Sequence, residues 1–255
     1  MLHFILGRAG SGKSHWVRDL LAARAQEGKQ ELVLLVPEQF SFESERALLH
    51  RLHASPAGQI EVLSFSRLAT RVLQLSGGFA GRHLDDAGRI VLMDAAVNAV
   101  RDRLGVYSRV CTTAGFACEM LDAINEWKQC AVSPEMLSQA AARLEEGALR
   151  RKLEDLSLLY GAYNALVRES YVDPADELDR LYDKLLDISY FHGKIVGIDS
   201  FKGFTGQQMK ILEQIIATAQ DTYITLCCDS LSDRQEGMGL FSNVIACAHR
   251  LMTLA

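Results

Sequence analysis

Eight residues near the start of the chain, Gly7-Arg8-Ala9-Gly10-Ser11-Gly12-Lys13-Ser14, fit the pattern G-x-x-x-x-G-K-[ST] in full. They follow a short apolar run, Leu2–Leu6, and open a helical pattern, Lys13–Gln26. Strand, glycine-rich loop and helix in that order are the setting in which this pattern cradles phosphates. The glycines let backbone N–H groups converge without side-chain obstruction, and the helix turns its positive end to the same point. Lys13 is expected to reach the β- and γ-phosphates of a nucleoside triphosphate, and the Ser14 hydroxyl to ligate Mg²⁺. Gly7 through Ser14 thus form the candidate cofactor site of a P-loop, with ATP and Mg²⁺ as the expected cofactors.

The rest of the chain continues the strand–helix alternation. Five runs read as buried strands: Leu2–Leu6, Glu31–Val36, Ile60–Ser64, Lys194–Asp199 and Thr222–Cys228. They are apolar without strict alternation, as parallel strands covered on both faces should be. Helical patterns follow the first three, over Lys13–Gln26, Phe42–His53 and Arg67–Ser76, which is the sequence form of an α/β domain. Residues 65–193 carry almost no strand signal. Gly77-Gly78 is expected to stop the third helix. Asp85 or Asp86 can cap the next, whose apolar face carries Ile90, Met93, Ala96, Val97 and Val100. Further helices are expected at Ala114–Gln129, Pro134–Leu144, Ala148–Ser170 and Pro174–Leu186, with Ser133-Pro134 as a cap followed by proline at the first position. The expected organisation is a parallel-sheet domain in two parts, residues 1–77 and 191–255, with an all-helical subdomain inserted at 78–190.

Such a site also needs a carboxylate near the metal at the end of a neighbouring strand, and Ile195-Val196-Gly197-Ile198-Asp199 supplies Asp199 as a Walker B candidate. The metal set is then Ser14 and Asp199. Ser200 stands next, where many hydrolysing relatives of this motif place Glu; a neutral hydroxyl is a poor base at neutral pH. Glu213 and Asp229 are the candidates to substitute, and no catalytic base is assigned. Nucleotide binding with weak or absent hydrolysis is the expectation.

Charge narrows the partners. The chain carries 27 Lys and Arg against 32 Asp and Glu, a net charge of −5. Residues 1–77 hold 9 against 7 (+2), 78–190 hold 13 against 19 (−6), and 191–255 hold 5 against 6 (−1). A broad nucleic-acid surface is therefore unexpected, and any contact with DNA should be narrow and outside the acidic middle. The six cysteines, Cys111, Cys118, Cys130, Cys227, Cys228 and Cys247, form no C-x-x-C pair and have no His at zinc-ligand spacing, so reduced thiols and no metal cluster are expected. Cys227 and Cys228 would point to opposite faces of a strand. No apolar run approaches the roughly 20 residues that span a bilayer, and no secretory cleavage pattern follows Met1. A cytoplasmic chain without a membrane partner is expected.

Two further segments carry a resemblance. Ser64-Phe65-Ser66-Arg67-Leu68-Ala69-Thr70-Arg71-Val72-Leu73 resembles the T-F-H-x-L-A-x-R-x-L segment of UvrD/Rep-like superfamily 1 helicases, with Ser66 in place of the His, and Tyr171-Val172-Asp173-Pro174-Ala175-Asp176-Glu177-Leu178 resembles their L-D-F-x-D-L element. A closer likeness is to the B subunits of AddAB (RexAB) helicase–nucleases. It rests on Val36-Pro37-Glu38-Gln39-Phe40-Ser41-Phe42, Asp85-Asp86-Ala87-Gly88-Arg89, and the run from Ile198-Asp199-Ser200-Phe201-Lys202-Gly203-Phe204-Thr205 to Gln208. The resemblance implies a RecA-like first motor domain with a helical insertion, an AddA-like partner subunit, and work on DNA ends in double-strand break repair and recombination, with DNA met mainly in the complex. By position it implies that Phe65 stacks a base and Arg67 pairs a phosphate of single-stranded DNA. Whole B subunits are much longer, so the chain resembles an N-terminal portion; the second motor domain, the nuclease centre and the iron–sulphur cysteines have no counterpart in it. Two other readings are a stand-alone P-loop kinase-like phosphotransferase and a structural adaptor with a vestigial nucleotide site.

Overall fold

The computed structural model describes residues 1–28, 31–52, 60–77, 81–231 and 239–254. In chain order the elements are β1 (Leu2–Leu6), α1 (Lys13–Gln26), β2 (Leu32–Leu35), α2 (Ser41–Arg51), β3 (Ile60–Leu63), α3 (Phe65–Leu75), β4 (Arg82–His83), α4 (Asp86–Val100), α5 (Phe116–Gln129), α6 (Pro134–Ala142), α7 (Ala148–Ser170), β5 (Tyr171–Val172), α8 (Glu177–Asp187), β6 (Ile195–Ile198), α9 (Gly206–Thr218), β7 (Asp221–Leu226) and α10 (Ser242–Met252). They fall into two compact units: Met1–Gly78 with Leu178–Ala255, and Phe79–Glu177.

The first unit is an α/β layer structure around a five-stranded sheet in the order β1-β7-β6-β2-β3, parallel throughout. Alternation along β2 sends Leu32 and Leu34 to one face, where they meet Val17, Leu21, Ala22 and Ala25 of α1 and Leu48 of α2. Val33 and Leu35 go to the other face and pack with Leu68 and Val72 of α3, Leu181 and Leu185 of α8, and Leu212 and Ile215 of α9. Covered on both faces, the central strands β2 and β6 read as unbroken apolar runs. α8, grouped with the middle helices in the sequence expectation, thus contributes its two buried leucines to the core of the sheet.

Local chemistry sets the ends of the helices. Ser64 Oγ accepts the Arg67 N–H at 3.2 Å, so α3 begins at Phe65, two residues ahead of the expected start. Of the two candidate caps for α4, Asp85 holds the Gly88 N–H at 2.7 Å. Ser133 caps α6 through the Met136 N–H, with Pro134 in the first turn. Gly115 adopts φ +90° ahead of α5, which starts at Phe116 instead of Ala114. The expected Pro174–Leu186 helix is a 3₁₀ turn, Pro174–Asp176, running into α8. The apolar run at Thr222–Cys228 yields strand only to Leu226, with Cys227 and Cys228 beyond it. The periodicity left α9, α10 and the two-residue β4–β5 pair unassigned. A reciprocal cap between Thr205 and Gln208 opens α9. His53 and Gly78, the ends of two expectations, lie outside the described residues.

The second unit packs α4, α5, α6 and α7 around Met93, Ala96, Ile124, Leu159 and Tyr163. Set into that apolar core is Asp173, wholly buried. Arg89 Nε lies 3.0 Å from its Oδ1 and Lys128 Nζ 3.1 Å from its Oδ2. Tyr163 donates its hydroxyl at 2.9 Å, the Ala175 N–H donates at 3.0 Å, and Lys128 also pairs with Asp176 at 2.6 Å. Burial pushes the Asp173 carboxyl up, yet Lys128, the Ala175 N–H and Arg89 together outweigh burial and hold it below its ordinary value. Burial also pushes the Tyr163 phenol up, with the Asp173 charge adding to it.

A carboxyl held low stabilises the fold in full above the unfolded carboxylate range, near ~4, and loses that contribution as the pH falls through the folded value. Asp173→Asn removes the counter-charge of the buried Lys128, and a loss of about 3 kcal/mol is expected. Urea denaturation at neutral pH checks the loss. Repeating it as the pH is lowered below ~4 should show the gap between wild type and variant closing.

Candidate nucleotide-binding site

β1 feeds the glycine-rich loop directly into α1 at the carboxyl edge of the sheet, where open α/β sheets place their ligands. Gly10 and Gly12 take φ +79° and +87°, in the left-handed region that only glycine enters freely. A Cβ on Gly7 would collide with Ser11 Oγ. No side chain caps α1 at Gly12, so the positive end of the helix faces the loop uncovered. Arg8, Ala9, Gly10, Ser11 and Gly12 are exposed, while Lys13 and Ser14 are half-buried. Lys13 folds back over the loop and donates to the Gly7 and Arg8 carbonyls at 2.6 and 2.7 Å.

Asp199 follows β6 and is 1% exposed. Its Oδ1 accepts the Ser14 hydroxyl at 3.0 Å, which joins residues 185 positions apart. The packing of α1 on β6 makes that contact possible. At Gly197 a Cβ would lie 2.7 Å from Val17 Cγ1 and 3.2 Å from Leu21 Cδ1, so the helix sits against bare backbone.

The two candidate substitutes for the hydrolytic base are placed differently. Asp229 accepts both Arg8 Nε and Nη2, at 2.8 and 2.5 Å to the same oxygen. Those hydrogen bonds hold the Asp229 carboxyl below its ordinary value, which makes it a weaker proton acceptor. Glu213 is exposed in the middle of α9. Ser200 turns its hydroxyl to Asp199 Oδ2 at 3.1 Å.

Phe65 and Arg67 part company. The Phe65 ring is 6% exposed and packs edge-on against Phe201 and Phe204, with centroids 5.6 and 6.4 Å away. Arg67 is exposed. Ser66, at the position of the helicase His, donates to Glu38 at 2.9 Å and shares a 3.1 Å hydrogen bond with Ser64. Hydrogen bonds from Ser64 and Ser66 hold the Glu38 carboxyl below its ordinary value.

One residue of the site escaped the sequence reading. Thr225, buried on β7, donates to Asp199 Oδ1 at 2.6 Å. β7 carries two buried threonines, Thr222 and Thr225, and nothing local tells them apart; the partner of Thr225 is known only once β7 is placed beside β6. Among the described residues, no three His, Cys, Asp or Glu side chains gather as in a metal cage. The six cysteines are free thiols. No described helix is long and apolar enough to cross a membrane.

Residues 4–255 match the family model described as "ADDB, N-terminal". Similar proteins include the B subunit of the ATP-dependent helicase/deoxyribonuclease of Caldanaerobacter subterraneus subsp. tengcongensis, 36% identical over 94% of this chain and 21% of the relative. The protein of the same name from Clostridium tetani is 34% identical over 94% of this chain and 21% of its own length. That of Clostridium kluyveri is 34% identical over 100% of this chain and 22% of its own. The chain therefore spans about a fifth of the curated relatives it matches.

Gly197→Ala drives a methyl into Val17 and Leu21 behind the loop. A loss of about 1–3 kcal/mol is expected from such overpacking, read as a lower midpoint in chemical denaturation.

Proposed function

The chain belongs to the ADDB N-terminal family, and we propose that it is the ATP-binding, RecA-like motor domain of a helicase/deoxyribonuclease B subunit that acts in DNA double-strand break repair and recombination. The observation that carries the nucleotide reading is the 3.0 Å contact between Ser14 and Asp199. A hydroxyl that donates its proton to a carboxylate keeps its lone pairs free for a cation, and hydroxyl and carboxylate oxygens are the donors Mg²⁺ prefers. Asp199 is buried, and no basic side chain bonds it among the described residues. A cation there answers the cost of an uncompensated buried charge. Bound Mg²⁺ would neutralise phosphate charge.

The residues of the chain do the rest. The loop N–H groups and the open end of α1 would receive the phosphates, and Lys13 would exchange its two loop carbonyls for phosphate oxygens. The mainly helical unit Phe79–Glu177, which also carries the short β4–β5 pair, is read as a subdomain inserted into the motor domain. The relatives are named as B subunits, which supports a partner chain, here an AddA-like helicase–nuclease in the cytoplasm. Exposed Arg67, beside β3, is the residue best placed to meet a DNA phosphate; the inward Phe65 would have to turn out to stack a base.

Hydrolysis asks for more than this site offers. Ser200 stands in the base position and Asp229 is tied to Arg8. These deficits act on the transition state, so affinity can survive while turnover does not.

Lys13→Ala should weaken ATP or ADP binding in the presence of Mg²⁺ at least tenfold, about 1.4 kcal/mol. Equal calorimetric affinities for variant and wild type would instead support a vestigial site. The purified chain should neither unwind nor cut DNA, and its ATP turnover should fall far below ~10 s⁻¹, a typical enzyme value. DNA-stimulated turnover near that value that vanishes in Lys13→Ala would refute this.

A further inference from the structure

Ser200 takes φ +67°, one of two positive-φ residues other than glycine among the described residues. Glycine adopts that conformation freely, whereas a residue with a Cβ is strained in it. A strained backbone persists where its surroundings hold it, often because the site uses it. Here the strained residue folds its hydroxyl onto the neighbouring carboxylate, with Oγ donating to Asp199 Oδ2 at 3.1 Å. Its own N–H points to Thr225 Oγ1 at 3.4 Å.

Thr225 closes the other side. It is 4% exposed, and β7 carries it between β1 and β6. Its Oγ1 donates to Asp199 Oδ1 at 2.6 Å, the same oxygen that accepts the Ser14 hydroxyl at 3.0 Å. Both oxygens of a buried carboxylate are therefore held by neutral hydroxyls from α1, β7 and the segment after β6.

We propose that Thr225 and Ser200 are positioning residues that lock Asp199 in the orientation that receives a divalent cation, Thr225 through Oδ1 and Ser200 through Oδ2. The hydroxyl at position 200 thereby serves the metal carboxylate and is not offered to an attacking water. Three neutral donors fix the direction of the carboxylate without cancelling its charge, so its negative field stays available to the cation. This inference rests on the reading of the loop as a Mg-nucleotide site.

The test is calorimetric titration of ADP into the chain with and without Mg²⁺, the ratio of the two affinities being the metal coupling. Thr225→Val keeps the volume and removes the donor. It should cut the coupling about tenfold, as loss of a metal-orienting hydrogen bond does, with the Mg²⁺-free affinity unchanged. Thr225→Ser should restore the coupling. Ser200→Gly should raise the thermal midpoint by relieving strain and yet lower the coupling, opposite signs that a purely structural role does not produce. Wild-type coupling in Thr225→Val, or a parallel fall of both its affinities, would overturn the proposal. So would a Ser200→Gly variant that gains stability with unchanged coupling. Lys13→Ala separates the two levels: if it abolishes binding while wild type shows no metal coupling, the loop reading stands and this inference fails. If wild type binds no ADP, both fail.

Discussion

The approach of α1 to β6 at Gly197 is the contact from which the rest of the site follows. Val17 and Leu21 occupy the space that a side chain there would fill. That closeness sets the start of α1 against the end of β6, and Ser14 comes within 3.0 Å of Asp199. The loop is then held at three points: by the strand behind it, by Lys13 folded onto its own carbonyls, and by Arg8 paired with Asp229 after β7. The Lys13 contacts are local, whereas the Arg8–Asp229 pair and the Ser14–Asp199 contact depend on β1, β7 and β6 being neighbours in one parallel sheet.

Two buried carboxylates show how the same group is given different work. Asp173, in the helical unit, meets Arg89 and Lys128 directly, and its charge is spent inside the protein. Such a cluster fixes local structure, since removing one partner strands the others. Among the described residues, the Asp199 carboxylate is bonded by three hydroxyls, from Ser14, Thr225 and Ser200. On the proposed reading, these hydroxyls set its direction and leave its charge for a cation. The contrast lies in the partners, because both residues are almost wholly out of solvent.

The carboxyl edge of the sheet also carries Glu38 after β2 and Ser64, Ser66 and Arg67 after β3. Hydrogen bonding among Glu38, Ser64 and Ser66 ties the two loops together. Phe65 is drawn inward by Phe201 and Phe204, aromatic residues of the segment after β6. The D-x-F-x-x-F run beginning at Asp199 thus serves two purposes in this unit: its carboxylate faces Ser14, and its rings anchor the start of α3.

By itself the sequence determined the local elements. The glycines at 10 and 12, the Ser133 cap, an aspartate at 85 or 86 ahead of α4, and the apolar runs of the five strands act through neighbours a few residues away, so pattern and propensity suffice to place them. It also marked Lys13, Ser14 and Asp199 by type and spacing. Only the tertiary structure decided that β7 lies between β1 and β6, which makes Thr225 a partner of Asp199 from 26 residues away. It likewise turned Phe65 inward, committed Asp229 to Arg8, and placed the leucines of α8 in the core of the sheet. None of these is encoded in local periodicity, because each arises from strand order and from which long-range partner reaches a polar or aromatic group first.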